Sequence, residues 1–408
     1  MNAEFEVNIE SLVYGGSGLG RLADSRAVFI PFTLPGEKVL VRIKEEKKGY
    51  VIAEALNILK PSPQRITPRC PHFGICGGCH YQHLPYELQV SYKKEIFIEQ
   101  LQRIGNIDLP LISQVVESGD AWNYRNMLQF HLSPNGKLGF ERSNSHDTFE
   151  IKECHLPCHT LNETWPKLDF DFIPGIDRVE LRQGDDEEIL LAMYSQDITP
   201  PEFETEMPIS AVHISPQGQI ILAGNDHLYI SVHGKTMRVN AASFFQVNPS
   251  VTERMVSILL EKIHLTKEMV VLDVYCGVGL FSVFMAPLVN RCLGVEVSPN
   301  ACQDYAFNLD AMDNVELYEG TAEEVLPLLE MKLYLILLDP PRSGVERRTL
   351  TALMELAPQQ LVYISCNPAT LARDARHLIE SGYKLNDSIL LDMFPQTFHI
   401  ESLNFFSR

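Results

Sequence analysis

From about residue 236 to its end, the chain alternates apolar strand-like runs with helical segments, and that alternation constrains the fold most tightly. VSILLEKIHL has a helical period, and VVLDVYCGVGLFSVFMA reads as a buried strand, a glycine turn and a helix. RCLGVEVS is a second strand, ACQDYAFNLDAM a helix, NVELYEG a strand, and LYLILLDPPRSG a strand with a loop. QQLVYISCNPATLARDARHLI reads as strand, turn and helix, and KLNDSILLDMF and HIESLNFFSR as two closing strands. Parallel strands need crossover helices, so this pattern gives an open, mostly parallel sheet. A ligand of such a sheet lies beyond the carboxyl ends of its strands.

Upstream the pattern differs. Residues 4–59 are short β-rich runs with Gly and Pro punctuation, the signature of a small five-stranded barrel over 1–60. The loop Gly15–Gly20 joins two strands and opens no helix, so it is not a dinucleotide site. Lys44, Lys47 and Lys48 suit phosphate contacts and a solvated hairpin equally well. PSPQRITPRC is a linker. Residues 86–104 predict a helix with Val90, Phe97, Leu101 and Ile104 on one face and Gly105 as its stop. Residues 113–235 are β-rich without a clean helical period. The expected domains are therefore 1–60, an irregular α+β region over 61–235, and 236–408. The helix over 86–104 could equally pack on the last of these.

No run approaches the ~18 apolar residues of a membrane span. The N-terminus MNAEFEVNIE has no basic region followed by an apolar run, so no secretory signal is read and a cytoplasmic location is expected. Collagen-like, disordered and membrane classes are excluded. The net charge is −19, which taken whole argues against a nucleic-acid partner. Its distribution changes that conclusion. Residues 161–210 hold 3 basic and 13 acidic side chains, including Asp185, Asp186, Glu187 and Glu188, whereas residues 1–160 hold 17 and 18. The acidic run reads as a solvated face or loop.

Nine cysteines, an odd number without a secretory signal, make a disulfide framework improbable. Cys70, Cys76 and Cys79 form a C-x5-C-x2-C run in RCPHFGICGGCHYQH, with Gly74, Gly77 and Gly78 between them. Cys154 or Cys158, in IKECHLPCHT, supplies a fourth thiol. Four thiolates suit zinc or a cubane iron–sulfur cluster, and three bunched plus one remote favours the cluster. The spacing is not the C-x3-C-x2-C of radical-generating enzymes, so the expected role is structural or positioning.

Asp273-Val274-Tyr275-Cys276-Gly277-Val278-Gly279 follows an apolar strand and leads into a helix. Glu296 ends the next strand, 23 residues on, where a carboxylate can accept both ribose hydroxyls. A D-x-x-x-G-x-G turn with acidic strand ends resembles the S-adenosylmethionine site of Rossmann-like methyltransferases, and an acidic lining suits a cationic sulfonium. Asp339-Pro340-Pro341 is followed by Arg342 and not by the aromatic residue expected for methylation of an exocyclic amine. Cys366, just past a buried strand in SCNP, is expected to be exposed in the cleft, its thiolate favoured by the following helix N-terminus. A thiolate that adds to C6 of uracil makes C5 nucleophilic toward a methyl group. A base must then remove the C5 proton, and Glu401 in His399-Ile400-Glu401-Ser402 is the candidate.

RCPHFGICGGCHYQH, SFFQVNP, LDVYCGVGLFS, LLDPPRSG, YISCNPATLARD and LDMFPQTFHIESLNFFSR together resemble the bacterial and archaeal RNA uracil-C5 methyltransferases. Within that family the likeness is to the 23S ribosomal RNA 5-methyluridine enzymes that carry an iron–sulfur cluster and an N-terminal TRAM barrel. It covers nearly the whole chain and is weakest over 160–235. It implies an α/β multidomain protein: an OB-like TRAM β-barrel, a central α+β iron–sulfur domain and a C-terminal Rossmann-like methyltransferase domain. It implies that Cys70, Cys76, Cys79 and Cys154 ligate a [4Fe–4S] cluster, Cys154 being preferred because the family has a single cysteine in a V-K-x-C context. It implies that Gln246, Asp273, Tyr275, Gly277, Gly279, Glu296 and Asp339 contact S-adenosylmethionine, with Cys366 the nucleophile and Glu401 the general base. Thr321 stands where the family often has Asn or Asp, and Gln396 where some members have His.

The implied partner is RNA, with the target uridine flipped into the cleft. Ribosomal RNA is favoured and the transfer RNA T-loop is the runner-up. No membrane or obligate protein partner is expected, and the protein is read as a monomer. The acidic stretch is expected to face away from the RNA. Arg125 suits an RNA contact and a structural salt bridge equally. A degenerate cluster-bearing assembly factor is disfavoured by the presence of Cys366, Glu401, Gln246 and Asp339. An amino-group or cytosine methyltransferase is disfavoured by Arg342 and the SCNP context.

Overall fold

The computed structural model describes residues 4–108, 111–133, 135–170 and 175–408. The first three residues of the predicted barrel and Asp171 of the acidic stretch lie outside the described residues. The chain divides into two compact units. One comprises the described part of Met1–Glu99 with Phe140–Asp147 and Phe394–His399; the other comprises Gln100–Gly139, Thr148–Met393 and Ile400–Arg408.

In the first unit, strands Glu4–Leu12, Ser17–Arg21, Ala27–Pro31, Lys38–Lys47 and Tyr50–Lys60 close into the predicted barrel. Alternate residues point inward, and Val7, Ile9, Val28, Ile30, Val39, Val41, Val51 and Ala53 fill the interior. Lys44 pairs with Glu54 on the neighbouring strand, as a solvated hairpin lysine does. The linker is fastened through buried Glu37, which accepts the N–H groups of Leu34 and Ser62 and both Nε and Nη2 of Arg65. Gln396 is buried and exchanges hydrogen bonds with Gln89, through its N–H at 2.9 Å and its Oε1 at 3.0 Å. The predicted helix forms over Tyr86–Arg103.

The second unit is built on an eight-stranded sheet. Its order is Val315–Glu319, Arg291–Glu296, Val270–Val274, Leu335–Leu338, Gln360–Ser365, Glu401–Ser407, Lys384–Leu391, Ile112–Val116. The first five strands are parallel. Helices cover a parallel sheet on both faces, so its central strands are continuously apolar, and all four residues of Leu335–Leu338 are buried. Chain order runs outward in both directions from the neighbours Val270–Val274 and Leu335–Leu338, which makes the crevice at their carboxyl ends the topological switch point. Glu401–Ser407 inserts antiparallel to both of its neighbours. The edge strand Ile112–Val116 comes from far upstream and is fixed by Ser113, whose N–H and hydroxyl bind Asp387.

The β-rich middle of the chain forms a seven-stranded sheet over residues 127–223. It is antiparallel apart from the pair Ile189–Ser195 and Ile209–Ser215, with hairpin His227–Val232/Lys235–Asn240 beside it. Leu190, Ala192, Val212, Leu228 and Ala241 pack between sheet and hairpin. Part of the acidic run is structural: Asp185 accepts the Ser231 N–H at 3.0 Å and its hydroxyl at 2.6 Å, while Asp186 and Glu187 are exposed.

Candidate active site

The turn after Val270–Val274 places Tyr275 (φ 66°), Gly277 (φ 54°) and Gly279 (φ 92°) in the left-handed region. Gly279 has no room for a side chain, since a Cβ would lie 2.6 Å from Leu309 Cδ1 and 3.0 Å from Tyr305 Cδ2. At Gly277 a Cβ would meet only open space, so the backbone there is accessible to a ligand. Glu296 reaches across from the next strand: its Oε2 accepts the Gly277 N–H at 2.9 Å and its Oε1 accepts those of Val297 and Ser298. Asp273 is fully buried, with Oδ2 accepting the Ser282 hydroxyl at 2.7 Å and Oδ1 without a partner among the described residues. Burial, against the Ser282 hydrogen bonds and with help from Glu296, raises its carboxyl to about 7. The helix predicted after the turn is only one α-turn, Ser282–Met285, continued as a 3-10 turn by Ala286–Leu288.

Asp339 follows the next strand, with its N–H on the Val274 carbonyl at 3.2 Å. Burial first and Asp273 second push its carboxyl to about 7. Cys366 follows Gln360–Ser365, and Glu401 opens the antiparallel neighbour in which Ser402 pairs with Ser365. Register alone therefore sets the thiol and the carboxyl side by side. Glu401 is buried, and that burial, with Asp339, holds its carboxyl well above the ordinary range against the opposing charge of Arg342. The expectation that Cys366 is a favoured thiolate is overturned. Burial, then the carboxyls of Glu401 and Asp339, push the thiol to about 12, with Arg342 acting in the other direction. The helix N-terminus is partly occupied by its own cap, since Asn367 accepts the Ala369 N–H at 3.0 Å.

Gln246 is buried in the loop between strand Lys235–Asn240 and helix Pro249–Lys262. Asn126 anchors this loop, its N–H bonding the Val247 carbonyl at 3.0 Å and its Nδ2 the Gln246 carbonyl at 3.4 Å. Thr321 closes a capping box with Glu324, so its hydroxyl serves a helix start.

The chain is 32% identical over 423 residues to the 23S rRNA (uracil(1939)-C(5))-methyltransferase RlmD of Haemophilus influenzae, covering 98% of this chain and 95% of that protein. The chain belongs to the RNA uracil-C5 methyltransferase family. The family model described as tRNA (Uracil-5-)-methyltransferase matches residues 205–408, and a TRAM domain model matches residues 2–56. An uncharacterized RNA methyltransferase of Aquifex aeolicus is 33% identical over 421 residues, covering 98% of this chain and 97% of that one. The fold is shared with the crystal structure of Pyrococcus abyssi tRNA (uracil-54, C5)-methyltransferase in complex with S-adenosyl-L-homocysteine. That comparison has a TM-score of 0.75 at 23% identity and covers 98% of this chain and 100% of that one.

The cysteines read as family cluster ligands lie as follows. Cys70, Cys76 and Cys79 sit in a run of turns in the first unit. The Gly78 N–H points at Cys76 Sγ at 3.3 Å. Burial raises the Cys76 thiol, the Gly78 N–H opposes this, and Cys70 adds to it. Cys154 and Cys158 belong to the second unit. Cys158 is committed elsewhere, its thiol donating to Gln183 Oε1 at 2.6 Å. Among the described residues, no three side chains of His, Cys, Asp or Glu come together closely enough to hold a metal ion.

Several residues that shape the site carried little signal in the sequence. Asn367 Nδ2 donates to the Arg342 carbonyl at 3.0 Å, tying the Cys366 loop to the Asp-Pro-Pro-Arg loop. Asn-Pro ahead of a helix is a readable cap signature, but the loop contact is not. Buried Asp374 accepts the Val345 N–H at 2.9 Å and the Tyr363 hydroxyl at 2.8 Å, fixing the far end of that loop. Arg125 is half-buried, with its backbone bonded to Leu156 and Cys158.

Proposed function

We propose that the protein methylates C5 of a uridine in RNA, with Cys366 as nucleophile, Glu401 as general base and 23S ribosomal RNA as the substrate. The observation that carries this reading is the juxtaposition of Cys366 and Glu401 at the facing ends of two antiparallel strands, beside the switch-point crevice. C5 of uracil is a weak nucleophile. When the Cys366 thiol has released its proton to solvent water, its sulfur adds to C6 and the electron pair moves toward C5 and O4. C5 then takes the methyl group as the bond from that carbon to the sulfonium sulfur breaks and leaves a neutral thioether. The ionised form of Glu401 takes the C5 proton, and the Cys366 sulfur is expelled as thiolate while the C5=C6 bond re-forms. S-adenosylmethionine supplies the methyl as an electrophilic carbon on a cationic sulfonium. The unpartnered Asp273 Oδ1, the open face of Gly277 and the carboxylate of Glu296 suit that group. Gln246, Tyr275, Gly279 and Asp339 complete the reading of the donor site. Arg342 beside Cys366 and Glu401 offsets negative charge as the adduct forms.

Ribosomal RNA is favoured because the relative named for 23S rRNA is 32% identical along nearly the whole chain, against 23% for the transfer RNA enzyme of known structure. Mapping 5-methyluridine in ribosomal and transfer RNA from a deletion strain tests the target. Loss from 23S rRNA alone supports it, and loss from the transfer RNA T-loop alone reassigns it.

Cys70, Cys76 and Cys79, with Cys154 from the sequence resemblance, are read as the thiolates of a [4Fe–4S] cluster. Soft sulfur donors, the Gly78 N–H on Cys76 Sγ and the engagement of Cys158 by Gln183 support that set. A cluster there would cross-link the turn-rich loop, and no step of the methylation uses it.

A further inference from the structure

Helix Pro299–Asn308 carries two polar side chains, four residues apart and so on one face, that the reaction does not use. Asp304 is fully buried. Its Oδ2 accepts the Asn240 N–H at 2.7 Å and the Ser243 hydroxyl at 2.7 Å, and the Arg238 Nε lies 3.5 Å from its Oδ1. Asn308 Oδ1 accepts the Arg238 N–H at 2.7 Å, while its Nδ2 donates to the carbonyls of Arg238 at 3.0 Å and Val278 at 2.9 Å.

These partners come from the segments that border the donor crevice. Arg238, Asn240 and Ser243 lead into Gln246, and Val278 lies between Gly277 and Gly279. The helix itself begins directly after Ser298, whose N–H is held by Glu296. The Gln246 loop is also held from its other side, where the Ser243 carbonyl accepts from Arg182 Nη1 at 2.9 Å. Burying a carboxylate carries a desolvation cost that a well-packed apolar residue would avoid. At Asp304 that cost is offset by the Asn240 and Ser243 hydrogen bonds and the Arg238 charge, the same contacts that fix the loop to the helix.

We propose that Asp304 and Asn308 are positioning residues that set the register of the Gln246 loop against the Gly277–Gly279 turn, and through it the affinity for the methyl donor. This rests on the reading of Gln246 and Glu296 as donor contacts, and the test separates the two claims. S-adenosylhomocysteine binding to the full-length protein is measured by calorimetry. Steady-state kinetics are run on the same proteins: wild type, Asp304→Ala, Asp304→Asn, Ser243→Ala, Asn308→Ala and Glu296→Ala.

Loss of a buried hydrogen-bond partner should weaken S-adenosylhomocysteine binding about tenfold in Asp304→Ala and Asn308→Ala. The KM for S-adenosylmethionine should rise in parallel, with kcat and the KM for RNA within about twofold of wild type. Asp304→Asn, which keeps an acceptor for Asn240 and Ser243, should recover most of the affinity. Ser243→Ala should show a smaller loss in the same direction. If Asp304→Ala fails to fold, Asn308→Ala and Ser243→Ala still decide the matter. Equal binding by every variant except Glu296→Ala overturns the positioning role and leaves the donor-site reading standing. Wild-type affinity in Glu296→Ala overturns the donor-site reading and the proposal with it.

Discussion

Ser365 and Ser402 are direct partners across the antiparallel pair Gln360–Ser365 and Glu401–Ser407, so Cys366 and Glu401 stand next to each other one step beyond them. A one-residue slip in that register would separate thiol and carboxyl. The two groups serve different steps. Glu401→Gln should still form a covalent adduct with substrate RNA and transfer the methyl, but stall before the C5 proton leaves. Denaturing gels should show that variant accumulating a protein–RNA complex with ordinary uridine RNA. Wild type should show such a complex only with 5-fluorouridine RNA, and Cys366→Ala with neither.

Four acidic side chains stand at the crevice, Asp273, Glu296, Asp339 and Glu401, and two of them, Asp273 and Asp339, are raised to about 7, chiefly by burial. A carboxyl raised in the folded state gives stability that is present below its unfolded value and is lost as pH rises through the folded one. Melting temperatures of the ligand-free protein should therefore fall between about pH 4 and pH 7. A cationic sulfonium favours the ionised forms, so the gain in melting temperature with S-adenosylmethionine should grow across the same interval. Asp273→Asn should flatten both curves and abolish donor binding.

The Cys366 thiol, at about 12, should be alkylated slowly by iodoacetamide at neutral pH, and faster as pH rises. Its environment was not legible in the sequence. The strand–Cys–Asn-Pro–helix order pointed to thiolate stabilisation by a helix N-terminus. The opposing carboxyls come from residues 27 and 35 positions away, Asp339 and Glu401, and only the sheet order brings them in. Local patterns fared better. The five barrel strands, the glycine turn after Val270–Val274, Glu296 at its strand end and the two closing strands follow from alternation, glycine placement and strand length. Ile112–Val116 did not, because an edge strand of five residues has no period of its own and is defined by its pairing with Lys384–Leu391. The seven-stranded sheet over 127–223 was readable as β-rich, but its order depends on non-local pairing.

Glu37 and Arg65 hold the linker to the barrel. Burial pushes the Glu37 carboxyl up, but hydrogen bonds from Arg65, Ser62 and Leu34 bring it below the ordinary value. Removing one partner leaves the other buried and uncompensated. Arg65→Ala should destabilise the first unit by about 3 kcal/mol, read from urea unfolding.

With a [4Fe–4S] cluster bound, anaerobically purified protein should absorb near ~400 nm and carry iron and acid-labile sulfide in equal amounts. Cys154→Ser should remove both, and Cys158→Ser, whose thiol serves Gln183, should remove neither. Colourless protein with stoichiometric zinc would replace the cluster with a zinc site.

Covalent uracil-C5 methylation by Cys366 displaces the C5 hydrogen, so it is read out by tritium release from 23S rRNA transcript labelled at uracil C5. Release should require S-adenosylmethionine, match the methyl groups incorporated, and be lost in Cys366→Ala. Methyl incorporation into the transcript without tritium release, or release that persists in Cys366→Ala, would contradict it.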